Sequence, residues 1–434
     1  MKNSHRRPAS LFAVAMAEAQ HRQALAAYWP QVGMRGAYQR MDEPPNFVFP
    51  STRFNITIPA GAFGNPVALQ LPVTVPEQDI KLMDPSSLTA SVDAKWLIYD
   101  GGMRKGLREQ SGGWLEMAKQ DSRRTDLEIL DSVKRFYYGA VLARQLHQLG
   151  KETLARMEAT LSLTETMYKE GSGRVKKTDY LDNKVMVESL RSVVALLEKN
   201  EEMARAALAN TLGRPWQESV RPTVREVPFT PYEGDLEKLV GAAYRFSPDW
   251  VKLEAGIRAA EGAVRTAKSG HHPRLAVTGE LHKWWNDYNT GLAKDRNKEG
   301  WSVSIGVEIP IFEGLLTLNR VKEARARVNK TKEEQFLLKE GIGLQIKDIF
   351  LGVTAARKSH QATLDAMLSA RENRDLNTRA YQNELVETEK VIRAQLVEAF
   401  MCAQHYKTRF DHVALQSQLD LVVGTEILKQ MEMQ

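Results

Sequence analysis

The sequence predicts a mainly α-helical fold with added β structure, in which a strand pair and a long helical hairpin occur twice. The evidence is an internal repeat. Residues 96–102 (WLIYDGG) recur as 309–314 (IPIFEG), and Tyr168 recurs as Tyr381, at one spacing of 213 residues. The helical patterns that follow each copy are much longer than the usual mean of about 11–12 residues. Internal duplication on this scale is typical of a large tubular assembly rather than of an enzyme.

Composition excludes several classes of protein. The 434 residues are 43% hydrophobic and 26% charged, which is ordinary material for two or three globular domains. No apolar run approaches the ~18 residues of a transmembrane helix. The 60 Lys and Arg and the 54 Asp and Glu are spread along the predicted helices, so we expect no nucleic-acid partner. The single cysteine, Cys402, can form no disulfide within the chain.

Four segments of about ten residues alternate apolar and polar side chains, which is the period of a β strand. Their apolar faces carry Val32, Met34 and Tyr38; Leu88, Ala90, Val92, Ala94, Trp96 and Ile98; Leu275, Val277 and Leu281; and Trp301, Val303, Ile305, Val307 and Ile309. A soluble sheet with one wet face is one explanation. Four matched strands beside very long helices favour tilted membrane strands instead, with aromatic residues near their ends.

The polar faces of these strands are then predicted to line a water-filled lumen. The residues concerned are Asp93, Lys95, Arg274, Glu280 and Glu308. Four strands cannot close a barrel, and lipid does not tolerate an open sheet edge, so further copies of the chain must complete it. Two copies give eight strands, whose interior is filled by side chains, whereas three copies give twelve strands and a passage.

Residues 103–212 and the corresponding part of the second half have the pattern of long coiled-coil helices. Breaks are expected near Gly150 and at 171–173. Steps of three and four residues connect Val187, Leu190, Val194, Leu197, Ala204 and Leu208, and also Ile342, Ile346, Ile349, Val353 and Ala356. A helical run of about 50 residues would span roughly 75 Å.

Proline-rich segments divide the chain. Residues 212–234 form a predicted linker, followed by two shorter helices at about 235–245 and 249–269. Loops are expected at 41–87, which holds eight prolines, and at 286–300, both beyond the outer end of the barrel. The predicted division is 1–30 (partial first helix), 31–100 (strands and outer loop), 101–212 (first hairpin), 213–270 (linker and short helices), 271–312 (second strands and loop) and 313–434 (second hairpin).

The first twenty residues imitate a secretory signal, with a basic start followed by an apolar stretch. The same segment matches a later one at a shift of 243 residues, where Pro30 falls on Pro273. We therefore expect an internal helix that enters a strand, and a signal peptide that is absent from this chain.

One motif makes a family resemblance specific. Residues 381–395 (YQNELVETEKVIRAQ) keep the spacing of the Tyr-x-x-Gly, Thr and Asp-Val-Leu-x-Ala-Gln positions in the TolC family of outer-membrane efflux channels. Residues 168–181 keep the Tyr, Gly and Asp with two inserted residues. With the duplicated order of elements, nearly the whole chain resembles this family. The resemblance implies a homotrimer with a 12-stranded barrel in outer-membrane lipid, continued into the periplasm by a 12-helix α-barrel. It also implies a periplasmic adaptor (membrane fusion protein) and an inner-membrane pump as partners, and no cofactor.

A gate is expected at the far ends of the two hairpins. The candidate residues are Tyr168, Asp179, Asp182, Tyr381, Lys390 and Arg393. In this hypothesis an acid of the first hairpin pairs with a base of the second and holds the tube closed; solvated coiled-coil positions are the alternative. Glu384 replaces the usual Gly of the family, and Lys390 and Arg393 stand where acidic residues are frequent. The resemblance therefore does not carry over a cation-selective constriction.

The sequence contains no nucleophile elbow, Walker loop, dinucleotide fingerprint or His-Glu-x-x-His motif, so we expect no enzyme. We expect no metal at His271, His272 and His282, because adjacent histidines on a strand point to opposite faces and no Cys or carboxylate spacing completes a site. The expected function is a passive conduit for small molecules, from the periplasm or a pump to the exterior. An exit duct of a type I protein secretion system has the same architecture and stays open. A soluble coiled-coil scaffold would leave the four strands unexplained.

Overall fold

The computed structural model describes residues 5–171, 175–218, 220–286 and 298–425. The helices in these ranges are α1 (Arg6–Ala26), α2 (Met103–Lys169), α3 (Lys177–Thr211), α4 (Leu236–Phe246), α5 (Pro248–Lys268), α6 (Leu316–Gln382) and α7 (Thr388–Val423). The strands are β1 (Gln31–Arg40), β2 (Asn46–Phe49), β3 (Thr52–Ile58), β4 (Leu69–Val75), β5 (Gln78–Lys81), β6 (Ser86–Tyr99), β7 (Arg274–Trp285) and β8 (Glu299–Glu308). The mixture of long helices with strands agrees with the predicted class.

The chain forms two compact units. Of the described residues, the helical unit takes 5–21, 109–263 and 323–425, and the strand unit takes 22–108 and 264–322. Of the second predicted loop, residues 287–297 lie outside the described part of the chain. The short helices α4 and α5 are present, and α1 precedes β1 as the repeat predicted.

The duplication is visible in the two longest helices. Both α2 and α6 have 67 residues, and their ends lie one repeat apart. The predicted break at Gly150 is wrong, because α2 continues through it. A Cβ at Gly150 would lie 2.9 Å from Leu197 Cδ1 and 3.3 Å from Val194 Cγ2, so the glycine lets α3 approach closely. At the second predicted break Gly171 adopts a left-handed φ of 71°, and 172–174 lie outside the described residues.

The predicted heptad positions form the cores of the helical unit. In α6 all five of them are buried, and in α3 Val187, Val194 and Leu208 are buried. The α6 residues pack with Leu419 and Val423 of α7 and with Leu239 and Ala243 of α4. Full burial of a Val or Ile side chain contributes about 1.5–3 kcal/mol, so this seam fixes the short helix against the second hairpin.

The four predicted membrane strands form one antiparallel sheet in the order β1-β6-β7-β8. Gln31 pairs with Lys95, Leu88 with Trp285, and Arg274 with Glu308. The β6–β7 pair therefore connects the two repeats, and β1 and β8 are the edges of the sheet.

The segment 41–87 is not the open loop that its prolines suggested. β2 pairs with β5 and β3 with β4, in one shared register in which Asn46 faces Lys81 and Thr52 faces Val75. The prolines fit this hairpin because seven of the eight lie outside its strands, and Pro72 alone lies inside one of them, at a sheet edge. We call residues 46–81 the ribbon.

The strand-to-helix turn is built alike in both repeats. Asp100 accepts hydrogen bonds from the backbone N–H of Arg104 (2.9 Å) and from its Nε (2.7 Å). One repeat later, Glu313 accepts a hydrogen bond of 2.5 Å from the hydroxyl of Thr317. Burial opposes ionisation of Asp100, but the hydrogen bonds from Arg104 and from the Gly102 amide outweigh it and lower the pKa. Each turn is thus capped by an acid that bonds four residues ahead.

Candidate functional site: the sheet faces and the hairpin ends

The strand register places all five predicted lumen residues on one face of the four-stranded sheet. Asp93 lies opposite Glu280, Arg274 lies opposite Glu308, and Lys95 lies opposite Thr278. The other face carries the predicted apolar row. Its exposed members include Val32, Met34, Trp301, Val303, Ile305 and Val307. The sheet therefore has one charged face and one apolar face on which many large side chains are exposed in the described chain.

The carboxylates of Asp93 and Glu280 are directly opposed in this sheet. Opposed like charges are unfavourable unless a cation lies nearby. Arg35 of β1 supplies it, because its Nε donates to Asp93 Oδ2 at 3.0 Å. Arg35 was absent from the predicted lumen residues. The signal was available, since Arg35 falls on the polar side of the β1 alternation.

The two hairpin-end tyrosines, equivalent in sequence, have different surroundings. Tyr168 is 38% exposed, and its ring stacks on Tyr180 with 6.2 Å between centroids. Tyr381 is only 4% exposed, and its hydroxyl lies 3.1 Å from Thr388 Oγ1 and 2.7 Å from Thr164 Oγ1. Tyr381 is therefore a contact between the two hairpins, whereas Tyr168 belongs to the end of the first one.

A buried chain of polar side chains extends this contact. Asn183 Nδ2 donates to Thr164 Oγ1 at 3.2 Å, and Gln395 Nε2 donates to Thr160 Oγ1 at 3.0 Å. Sequence analysis did not single out Thr160, Thr164 or Asn183. A signal existed in the motif itself, because Tyr381, Thr388 and Gln395 recur every seven residues and so share one helix face.

The predicted gate charges are on the surface of the helical unit. Asp182, Lys390 and Arg393 are exposed, and Asp179 caps α3 by accepting the Lys176 N–H at 2.9 Å. Asp179, Asp182 and Arg393 line one groove of about 560 Å³ between α3 and α7. Within the described part of one chain, no ion pair of 4 Å or less joins the two acids to Lys390 or Arg393. Glu384, at the usual glycine position, adopts a left-handed φ of 58°.

Farther along the hairpins, Glu398 is buried among three arginines. Its carboxylate lies 3.0 Å from Arg156 of α2, and 3.8 and 3.7 Å from Arg371 and Arg374 of α6. This cluster joins α2, α6 and α7 by charge. Sequence analysis did not predict this cluster, because its residues are far apart in the chain.

Three histidines surround Phe229 of the linker. The Phe229 ring lies 3.7 Å from the ring of His360 and 4.5 Å from that of His412, and His405 lies 5.0 Å from His360. Neither ring nitrogen of the fully buried His412 has a hydrogen-bond partner. Burial, with a smaller contribution from neighbouring His360, lowers the pKa of His405 and of His412 to about 4.

The three histidines that were considered and rejected as a metal site lie in a different geometry from the expected strand. His271 lies in a 3₁₀ turn and His272 follows it, so neither is on the strand, which begins at Arg274. Among the residues that the structure covers, no group of three or more His, Cys, Asp or Glu could hold a metal ion. Over the same residues, no helix is both long and apolar enough to cross a membrane.

The sequence matches the family described as "Outer membrane efflux protein" over residues 3–214 and 239–395. The chain belongs to the outer membrane efflux protein family. Protein CyaE of Bordetella pertussis is 25% identical to this efflux protein over 280 residues, which are 63% of the chain and 57% of CyaE. The chain thus spans little more than half the length of that curated relative.

Solved structures share the fold of this efflux protein. The outer membrane protein VceC of Vibrio cholerae is 14% identical with a TM-score of 0.75, over 98% of this chain and 94% of VceC. The CmeC outer membrane channel of Campylobacter jejuni is 12% identical with a TM-score of 0.76, over 99% of this chain and 86% of CmeC. The chain therefore has the fold of these outer membrane channels, in agreement with its membership of the outer membrane efflux protein family.

Proposed function

We propose that three copies of this channel close a twelve-stranded barrel in the outer membrane, continued by a twelve-helix tunnel in the periplasm. The observation that carries the proposal is the four-stranded sheet with two free edges, β1 and β8. Lipid excludes such edges, and pairing β8 of one copy with β1 of the next forms a closed ring. Three copies leave a passage, whereas two do not.

The trimer acts as a passive conduit for small molecules. A periplasmic adaptor and an inner-membrane pump deliver the cargo and supply the energy. The charged sheet face supports this role, because Asp93, Arg274, Glu280 and Glu308 would keep the lumen wet while the apolar face meets lipid. An exit duct for exported polypeptide remains the alternative cargo class.

The hairpin ends form the gate. Lys390 and Arg393, exposed and without an ionic partner of 4 Å in the described chain, would meet Asp179 or Asp182 of a neighbouring copy when the tube is shut. Tyr168 and Tyr381 hold the ends of the hairpins in place. Each exposed pair is worth only about 0–1 kcal/mol, so closure depends on threefold repetition and weakens as salt rises.

Native mass measurement in detergent tests the assembly. We expect three chains, and a monomer that stays soluble without detergent would contradict the proposal.

Restoring drug resistance to a strain that lacks its outer-membrane channel tests the cargo. Restored export of a polypeptide without restored resistance would favour the secretion duct.

A further inference from the structure

The ribbon has one apolar face in its distal half, where β3 pairs with β4. The directly opposed residues on that face are Phe54 with Val73, Ile56 with Leu71, and Ile58 with Leu69. Opposed residues of an antiparallel pair share a face, so these six side chains form a continuous row. The reverse face is polar, and Arg53 Nε donates there to Thr74 Oγ1 at 3.3 Å.

This apolar row is open in the single chain. Phe54 is 49% exposed and Ile56 is 52% exposed. A two-stranded ribbon is marginally stable in water by itself and needs another surface against its apolar face. We therefore expect another surface to cover this apolar row.

The tip of the ribbon points to the same conclusion. Phe63 is fully exposed, with a left-handed φ of 57°, between Gly61 and Gly64. The left-handed conformation is unfavourable for a residue that carries a side chain. A strained turn that presents an aromatic ring to the outside indicates a contact beyond the chain.

The low charge of the ribbon indicates which kind of partner covers its apolar face. Residues 46–75 contain a single charged residue, Arg53, in a chain that is 26% charged. Anionic lipid headgroups and charged proteins are bound through several cations, which the ribbon lacks. Identical uncharged faces do not repel each other. Because the ribbon continues from β1 and β6, each copy in the proposed barrel also brings one ribbon to the same rim, which raises the local concentration.

We propose that the ribbons of neighbouring copies pack apolar face against apolar face beyond the barrel and narrow its outer mouth. The inference rests on the proposed trimer.

Cross-linking tests the packing. The chain has one cysteine, the buried Cys402, so Cys402→Ala gives a clean background. In it, Ile56→Cys presents a thiol on the apolar face, and the neighbouring Thr57→Cys is the matched control on the polar face. With a short bis-maleimide we expect roughly tenfold more covalent dimer from Ile56→Cys, because alternate residues point to opposite faces. Equal yields from the two variants would overturn the inference.

Conductance and mass separate this inference from the proposed function. Phe54→Asn with Leu71→Asn is expected to keep the trimer mass and to raise single-channel conductance. A trimer with unchanged conductance and no Ile56→Cys cross-link overturns the ribbon packing alone, whereas loss of the trimer in the unaltered protein overturns the proposed assembly. A fluorophore on Phe63→Cys that nitroxide-labelled lipid quenches would place the tip on the membrane and also overturn the packing.

Discussion

The hydroxyl of Tyr381 lies 2.7 Å from Thr164 Oγ1, and this buried contact joins the second helical hairpin to the first. Thr164 also donates to the Thr160 carbonyl at 2.7 Å, so its own hydroxyl is fully used. Each hairpin end is thereby held by the other as well as by contacts across its own turn, Asn183 with Thr164 in the first and Tyr381 with Thr388 in the second.

Replacing Tyr381 by Phe is expected to destabilise the protein. The change removes the hydrogen-bond partner of the buried Thr388 hydroxyl and one of the three hydrogen bonds of Thr164, at about 1–2 kcal/mol, and should lower the Tm in a thermal melt. Tyr168→Phe is the matched control, since its side chain is partly exposed and surface changes stay within about 0.5 kcal/mol. Equal melting shifts for the two variants would mean that the Tyr381 contact does not hold the hairpins together.

Gly101→Ala is expected to be much more harmful than Gly314→Ala, although the two glycines hold the same place in the repeat. Both have a left-handed φ, 64° and 61°, so both variants bear the backbone cost of about 1 kcal/mol. A Cβ at Gly101 would clash with His272 Cβ and lie 3.0 Å from the Ser269 carbonyl oxygen, whereas at Gly314 it would meet no described atom within 4 Å beyond its chain neighbours. Thermal melts and the yield of assembled protein measure the difference. Indistinguishable variants would contradict the close packing at His272.

Stability is expected to fall as pH decreases from about 6.5 to 4. The pKa of His405 and of His412 is about 4 in the folded chain and near the usual 6.5 when unfolded. In this window the unfolded chain binds more protons, so the free energy of unfolding falls by up to about 1.4 kcal/mol per pH unit for each histidine. Above pH 6.5 the contribution is complete and constant.

The pH dependence is measured as unfolding free energy or Tm across that window. His412→Phe should flatten the slope, while the exposed His271→Gln should keep it. The groups that face the cluster are Glu226 of the linker, Arg371 of α6 and Arg409 of α7. An unchanged slope in His412→Phe would show that this histidine is protonated without cost in the folded chain.

Lys390→Asp combined with Arg393→Asp is expected to change ion preference. Three copies of two basic side chains at a constriction favour anions, so reversing the charge should shift the channel towards cations. The neutral pair Lys390→Gln with Arg393→Gln should give an intermediate preference. Single-channel recordings at two salt concentrations measure both effects. Unchanged conductance and preference would place these residues away from the lumen.

The repeat, the long helices and the two faces of the strands could be predicted because each depends on a local period. Helices α2 and α6 follow an apolar spacing of three and four residues, and the strands follow a period of two. The residues predicted to line the lumen, from Asp93 to Glu308, share one face for the same reason. The family motif at 381–395 identified Tyr381 as a special position without saying what it contacts.

Tertiary structure decided what depends on a partner. The sequence alone could not decide whether Gly150 ends a helix or lets another helix pack closely against it. In the structure α2 continues through Gly150, and α3 packs beside it. The prolines of 41–87 suggested a loop. The pairing of β2 with β5 and of β3 with β4 instead forms the ribbon. Tyr168 and Tyr381 share a motif and differ in burial, because Thr164 faces only the second. The carboxylate of Glu398 contacts arginines of α2 and α6, which are far from it in the chain. Local periodicity can be read directly from the sequence. Close packing and non-local pairing arise only when segments that are distant in the chain come into contact.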